Sequence, residues 1–330
     1  MSKRGEHMRK GICAAGELLI DFTPCGTSSQ GQLLYARNPG GAPANVLAMA
    51  AKLGIKARLC SVVGSDNFGT FLIESMLAAG IDTRFISRTA QARTTLAFVD
   101  LDERNDRSFT FYRKPGADIL LADADIPNEA LEGCGIYHFS GVSLTDEPAR
   151  GAVLRAAQRA KKMGLLVSFD PNYRPFLWPE AAQARRAFEE GMQLADIVKL
   201  SEEEVAFLLE KENAAQGAAE LAKRCGALVL VSCGARGALA ANASGLLGRA
   251  EALPVAVADT TGAGDAFLGT ILAALAGKEK AALASMPEQE AVRLLHLGCT
   301  AGSLTASKIG AIPALPDKKE ILKEVREGEV

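Results

Sequence analysis

The chain has 330 residues, 48% of them hydrophobic and 23% charged, and carries a formal net charge of -2. That length suits one large α/β domain or two smaller ones, with ample chain to bury a core. The near-neutral balance gives no electrostatic reason for nucleic-acid or acidic-membrane binding, and no apolar run approaches the ~18 residues of a membrane span.

Seven cysteines are scattered with no CxxC and no close Cys/His spacing, which implies reduced thiols in a cytosol-like, cytoplasmic compartment. Residues 1–10 are polar and basic and read as a flexible tail rather than a signal peptide. A first strand is expected over residues 11–20, leading into Asp21. Residues 23–38 are polar with a short apolar patch at Leu33-Leu34-Tyr35. Gly40-Gly41-Ala42-Pro43-Ala44-Asn45 then opens an Ala/Leu-rich helix that ends at Gly54. A strand at 58–63 and a helix at 68–79, stopped by Gly80, follow.

Residues 84–113 differ in texture. Segments 94–101 and 107–112 are β-rich, and 102–106 is a charged turn, a hairpin pattern. An antiparallel insertion in a βα chain is expected to form a small β lid, from about 84–116 and joined by strands from about 23–38. From Gly135 the alternation is regular: strands at 136–140, 165–169, 196–200 and 227–232, and helices at 149–163, 180–194 and 214–225. Ser201 and Glu204 read as a capping box. Gly234 and Gly237 bracket a turn into a β segment at 238–241. A helix at 288–306 and a polar amphipathic tail from Asp317 close the chain. There is no 20–50-residue repeat and no low-complexity tract. The alternation predicts an α/β fold with a mostly parallel sheet covered on both faces, spanning 11–316, with a helical tail at 317–330.

In such sheets ligands bind beyond the carboxyl ends of the strands. Asp21, Asp170, Asn172, Arg174, Glu202 and the Gly234 turn all follow predicted strands, so they are expected to share one site. The stretch Thr260-Thr261-Gly262-Ala263-Gly264-Asp265 leads into an apolar helix at 266–276. Its glycines let backbone approach a ligand, and the N–H groups of the first helical turn favour an anion, usually phosphate. An aspartate in that turn sits beside the anion and can take a proton from a hydroxyl that attacks it. In isolation the stretch reads equally as a plain helix start with Asp265 as a capping acid. The chain has no GxxxxGK[ST], no GxGxxG after the first strand and no HRD or DFG set, so P-loop, dinucleotide-binding and protein-kinase sites have no support. His138 and His296 lack partners at ligand spacing and read as packing residues of the core.

Gly40-Gly41-Ala42-Pro43-Ala44-Asn45 together with Asp259-Thr260-Thr261-Gly262-Ala263-Gly264-Asp265-Ala266-Phe267 resembles the two signatures of the ribokinase-like (PfkB) carbohydrate kinases, in order and at family spacing. The likeness runs from about residue 11 to 316. Within the family, Gly16-Glu17-Leu18-Leu19-Ile20-Asp21-Phe22, Phe111-Tyr112-Arg113 with Ala117-Asp118, Asp170-Pro171-Asn172-Tyr173-Arg174 with Trp178, and residues 196–204 resemble fructokinase segments. The resemblance implies a ribokinase-like three-layer α/β/α fold and transfer of phosphate from ATP to a sugar hydroxyl, with D-fructose to D-fructose 6-phosphate the expected reaction. Kinases of ribose, 2-keto-3-deoxygluconate or ribosides, and a non-catalytic sugar-binding relative, are the alternatives.

The resemblance also implies roles. Asp265 is the general base, and Gly262, Ala263 and Gly264 form the anion hole. Asp21, Gly41 and Asn45 hold sugar hydroxyls; taken alone, Asp21 also reads as a turn residue and Asn45 as a helix cap. Asn172 faces the phosphates or the acceptor. Arg174 stabilises transition-state charge, with a surface ion pair as the plain alternative. Glu202 is the acid that influences Mg²⁺ near the phosphates, or else a solvated first-turn carboxylate, and Lys199 stands where the family usually has Asn. Ser232, Gly234 and Gly237 resemble the nucleotide-binding strand and turn, and Cys299 and Ser303 would lie along the adenine. Asp259, Thr261 and Gly310 resemble a monovalent-cation loop, so K⁺ is a further expected cofactor. Tyr112 and Arg113 of the lid are expected to set sugar choice. Lid-to-lid pairing would make a homodimer.

Overall fold

The computed structural model describes residues 9–101, 107–211 and 213–327. The charged turn expected at 102–106, most of the N-terminal tail and the last three residues lie outside the described residues.

Alternation of apolar side chains sets the architecture. In the strand Gly11–Ala15, Ile12 and Ala14 join the core on one side of the sheet, and Cys13 and Ala15 join the core on the other. Leu228 and Leu230 against Val229 and Val231 repeat the pattern in Leu228–Ser232. Burial on both faces is what a parallel sheet between two helical layers requires. The sheet runs Gly245–Ala250, Ala238–Asn242, Leu228–Ser232, Ile197–Ser201, Leu166–Asp170, Cys134–Ser140, Gly11–Ala15, Ala57–Gly64, Ile81–Asp82. Pairing is parallel from Leu228–Ser232 to Ile81–Asp82, and two antiparallel strands finish one edge. Helices Ala42–Lys52, Ala263–Leu275 and Glu288–Ala306 cover one face, and Ala149–Lys162, Ala181–Leu194 and Ala214–Cys225 cover the other. This is the expected α/β fold.

A second, four-stranded sheet forms the lid, in the order Leu33–Gly40, Leu19–Thr27, Leu96–Leu101, Arg107–Tyr112. The predicted hairpin pairs antiparallel, Leu96 opposite Tyr112, and segment 23–38 supplies the other two strands. Phe22 and Phe98 stack at 4.8 Å across the lid, with Tyr35 and Tyr112 edge-on to Phe98. Leu33 and Leu34 stay exposed on its edge strand.

Three expectations are corrected. Residues 11–20 are not one strand: Gly16, at φ 149°, turns the chain out of the main sheet, and Leu19–Thr27 belongs to the lid. Asp21 therefore reaches the site from a lid strand rather than from the end of a main-sheet strand. Ile86–Thr89, expected in the lid, pairs in parallel with Ala57–Gly64 of the main sheet. His138 is fully buried, but His296 lies exposed on the outer face of Glu288–Ala306 rather than in the core.

Candidate active site

A cavity of about 750 Å³ opens where the carboxyl ends of the main strands meet the lid. Its wall includes Asp21, Gly41, Asn45, Asn172, Arg174, Lys199, Gly262, Gly264 and Asp265. The two signature stretches, more than 200 residues apart, thus face one space of ligand size.

The helix Ala263–Leu275 starts on Gly262, whose left-handed φ of 78° swings the chain into the first turn. The hydrogen-bond ladder begins with Ala266 N–H donating to Gly262 C=O at 2.8 Å. The N–H groups of Gly264 and Asp265 precede it and have no acceptor within the helix. Ala263 differs: its N–H donates to Thr260 C=O at 3.2 Å, and it is not part of the cavity wall. The structure thus presents Gly262 and Gly264, but not Ala263, to the cavity. The Asp265 carboxylate accepts from Asn45 Nδ2 at 2.8 Å. Burial pushes Asp265 up to about 6, against the pull of the Asn45 hydrogen bond and of Lys199 and Arg174. Asn45 is itself buried, and its Oδ1 has no hydrogen-bond partner among the described residues.

Gly41 caps the helix Ala42–Lys52 at φ 111°; a Cβ there would lie 2.3 Å from Glu17 C=O, so only glycine fits this close crossing of two chain segments. Asp21 stands on the lid side. Burial pushes its carboxyl up to about 7, opposed by Arg174 and reinforced by the negative charges of Asp265 and Asp259. Asn172 adopts φ 41°, a left-handed conformation that asparagine tolerates. Its N–H donates to Asp170 Oδ1 at 3.0 Å.

Lys199 is buried and ion-paired with Asp170, Nζ to Oδ2 3.1 Å, and Asp170 is 1% exposed. Burial opposes its charge, yet Asp170, Glu204 and Asp265 together hold its pKa above the usual lysine value. A Cβ placed on Gly264 would lie 3.2 Å from that Nζ. The ammonium therefore stands against the first turn of the Asp265 helix, and the missing side chain of Gly264 leaves the approach open.

Some predicted residues fall elsewhere. Glu202 faces outward, paired with Arg236, and lines a smaller neighbouring cavity of about 290 Å³. Two acids of the run line the main cavity, the exposed Glu203 and the buried Glu204. Glu204 closes the capping box with Ser201, accepts from Tyr173 N–H at 2.7 Å, and is pushed up by burial. Ser232, Gly234, Gly237, Cys299 and Ser303 are absent from the main wall; Ser232 Oγ donates to Leu200 C=O at 3.3 Å, and Cys299 is buried with its thiol pushed up to about 12. Asp259, Thr261 and Gly310 do come together, because Asp259 accepts from the N–H of Thr261 at 2.7 Å and of Gly310 at 3.0 Å.

The lid expectation is also corrected. Tyr112 is 63% exposed and Arg113 is buried, donating to Asp118 at 2.8 Å and to Thr145 Oγ1 at 2.7 Å. Neither walls the cavity; Phe111 does, and its ring lies 5.3 Å from that of the exposed Phe176. Glu17 was not foreseen either. It is 2% exposed, lines the cavity, and is pushed up by burial although Ser143 and Ser140 hydrogen-bond to it.

A family profile described as pfkB family carbohydrate kinase matches residues 9–318. Fructokinase-1 of Oryza sativa subsp. japonica is 38% identical over 315 residues, covering 94% of this chain and 96% of that protein. The crystal structure of a Xylella fastidiosa fructokinase with bound ATP superimposes with a TM-score of 0.88 at 33% identity, over 98% of this chain and all of that one. A Vibrio cholerae O395 fructokinase double mutant, bound to fructose, ADP and potassium ion, gives 0.82 at 30% identity over 95% of this chain and 98% of that one. With a family match across nearly its whole length and both signature stretches facing one cavity, this chain belongs to the pfkB family of carbohydrate kinases.

Proposed function

We infer that the protein phosphorylates D-fructose to D-fructose 6-phosphate from ATP, with Asp265 as general base. The observation that carries this reading is the Asp265 carboxylate, bonded to Asn45 at the start of a helix and sharing a cavity with Asp21. Asp21 accepts from sugar hydroxyls, Asn45 offers its unpaired Oδ1 to another, and Gly41 lets the sugar lie against backbone. Asp265 takes the proton of the primary hydroxyl as that oxygen attacks the γ-phosphorus. The bond to the β,γ-bridging oxygen breaks and ADP leaves. The N–H groups at Gly264 and Asp265 stabilise the phosphoryl oxygens, with Arg174 and Lys199 supplying positive charge. The lid, through Phe111 over Phe176, excludes water that would otherwise compete as acceptor.

The residues fit the expected cofactors. The glycine turn and Lys199 would hold the nucleotide phosphates, and the Ser232–Gly237 turn with Cys299 and Ser303 would take the adenosine end. Among the described residues no group of three or more His, Cys, Asp or Glu side chains is placed to chelate a metal. Mg²⁺ would be held mainly by phosphate oxygens and water with Glu204 at the wall, and when bound it neutralises phosphate charge. K⁺ would meet backbone carbonyls of the loops joined by Asp259. Seven unpaired cysteines suit a reducing, cytoplasmic setting.

Coupled ADP release with ATP, Mg²⁺ and K⁺ tests the reading on fructose, ribose, 2-keto-3-deoxygluconate and glucose. Preference for fructose is expected; preference for another sugar overturns the substrate but keeps the site. The pH profile has a definite sign. Asp265 and Asp21 act as carboxylates, and their protonation, near 6 and 7, removes an acceptor each. The charges of Asp170, Lys199 and Arg174 act on Asp265, and those of Arg174, Asp265 and Asp259 act on Asp21. kcat/KM is therefore expected to level off above about pH 8 and to fall as pH drops through 7 and 6. A profile flat down to pH 5 would contradict the assignment.

A further inference from the structure

Glu17 has no part in the chemistry above, yet it is buried at the floor of the sugar side of the cavity. Gly16 carries it there. Its N–H donates to Cys60 C=O at 3.1 Å, its C=O accepts from Ser61 Oγ at 2.7 Å, and the chain turns so that the next side chain points inward. Three segments donate to the Glu17 carboxylate. Ser140 Oγ, at the end of Cys134–Ser140, reaches both oxygens at 3.0 and 2.8 Å. Ser143 Oγ, in the turn Gly141–Leu144, reaches Oε2 at 2.7 Å. Ala42 N–H, at the first residue of Ala42–Lys52, reaches Oε1 at 3.1 Å.

The last contact is the informative one. Gly41 has no side chain with which to cap this helix, and no side-chain cap bond is made from that position. A carboxylate 25 residues earlier in the chain takes the capping role. It satisfies an N–H that the helix cannot, and its charge suits the positive end of the helix. One turn further on stands Asn45, whose amide holds Asp265. The Glu17 backbone presses on the same place, because its C=O lies where a Gly41 Cβ would be. Three donors, with the one Ser140 hydrogen shared between both oxygens, take up most of the carboxylate's roughly four acceptor sites.

We propose that Glu17 is a positioning residue for sugar binding, a remote cap that fixes the Gly41–Asn45 turn against Asp265 and the floor of the cavity. The proposal rests on the reading of Asn45 and Asp265 given above. It differs from a general packing role in what it predicts. Loss of the cap displaces the sugar side of the site and leaves the nucleotide side, on Ile197–Ser201 and Leu228–Ser232, in place.

The test compares Glu17→Ala and Glu17→Gln with the wild-type chain in steady-state kinetics, varying fructose and ATP separately, with hydrogen exchange of the 40–48 segment alongside. In Glu17→Ala the KM for fructose is expected to rise about 30–100-fold, the scale on which small misplacements act. The KM for ATP should stay within about twofold, and the amides of residues 42–45 should exchange faster. Glu17→Gln keeps the length and one acceptor oxygen for Ala42 but loses the charge and an acceptor for the serine hydroxyls, so its fructose KM should rise by only about three- to tenfold. An unchanged fructose KM in folded Glu17→Ala overturns the proposal. If that variant does not fold, an unchanged fructose KM in Glu17→Gln does so instead. Equal rises in both KM values overturn it too, since they mean general loosening. If the wild-type chain yields no sugar-dependent ADP at all, the functional reading and this one fall together; a fall confined to the variants' comparison leaves the functional reading intact.

Discussion

Asp265→Asn lowers kcat by about 10²–10⁴-fold, the usual contribution of a positioned base, while the protein becomes more stable at neutral pH. The two results share one cause. Asparagine keeps an oxygen to accept from Asn45 Nδ2, the 2.8 Å contact that orients the group, so the cavity wall stays in place. What is lost is the ability to take a proton. The carboxylate it replaces is held in a site that disfavours its charge, near 6, against about 3.9 for an unfolded aspartate. Ionisation is thus harder in the folded chain, and folding is penalised wherever the unfolded chain has already lost the proton. That penalty is absent below about pH 4, grows between the two values and is complete above about 6. At pH 7.5 it is on the order of 1–3 kcal/mol, or a few degrees in Tm. The melting advantage of Asp265→Asn should therefore be present at pH 7.5 and vanish at pH 4. Thermal melts at the two values, run beside the ADP assay, check both halves. Full activity in the variant would remove Asp265 from the role of base, and a melting gain equal at both pH values would assign the stability change to something other than its charge.

The glycine stretches around Asp265 and Gly41 were legible in the sequence because what they do is local. Backbone that must turn tightly or let another chain pass needs glycine at the position itself, and the residue records the need. The alternation that gives the sheet was legible for a similar reason, since a strand buried on both faces leaves an apolar run between helical repeats. Residues whose role depends on rotation about an element were less so. Glu202, Glu203 and Glu204 are equivalent in a string, yet the helix phase sends Glu202 toward Arg236, leaves Glu203 exposed at the cavity's edge and buries Glu204 in its wall. The capping-box spacing from Ser201 held that information, because a box at Glu204 fixes which carboxylate turns back toward the strand end. Phe111, Tyr112 and Arg113 show the same difficulty in a strand. Successive side chains alternate, so one inward residue excludes its neighbours, and the sequence does not say which. Glu17 was illegible because its donors lie far along the chain, Ala42 at 25 residues and Ser140 and Ser143 at more than 120. Its trace was an acid directly after a glycine inside an otherwise apolar stretch, which a buried strand does not tolerate without partners.

Lys199→Met is expected to lower kcat by about 10²–10³-fold, the range found when one charge-stabilising donor is removed from a reaction site. The ammonium sits 3.1 Å from Asp170 and beside Gly264 in the first turn of the Asp265 helix. A phosphoryl group arriving at that turn would meet a cation already fixed and already largely dehydrated, so no reorganisation is needed as charge moves onto its oxygens. The single variant alone is ambiguous, because it strands Asp170, 1% exposed, as an unpaired buried charge, a defect that costs about 3–5 kcal/mol. The double variant Lys199→Met/Asp170→Asn separates the effects. With the stranded charge neutralised and an oxygen kept for the Asn172 N–H, stability should return toward wild type while kcat stays low. The pH profile gives an independent readout. Lys199 pulls the Asp265 pKa down, alongside Arg174 and against the upward push of burial and of Asp170. Without Lys199 the acid limb of kcat/KM should move to higher pH in the single variant. It should move less in the double variant, where the opposing charge of Asp170 is also gone. A purely structural lysine would give the opposite pattern, with activity recovered together with stability in the double variant and an acid limb that does not move.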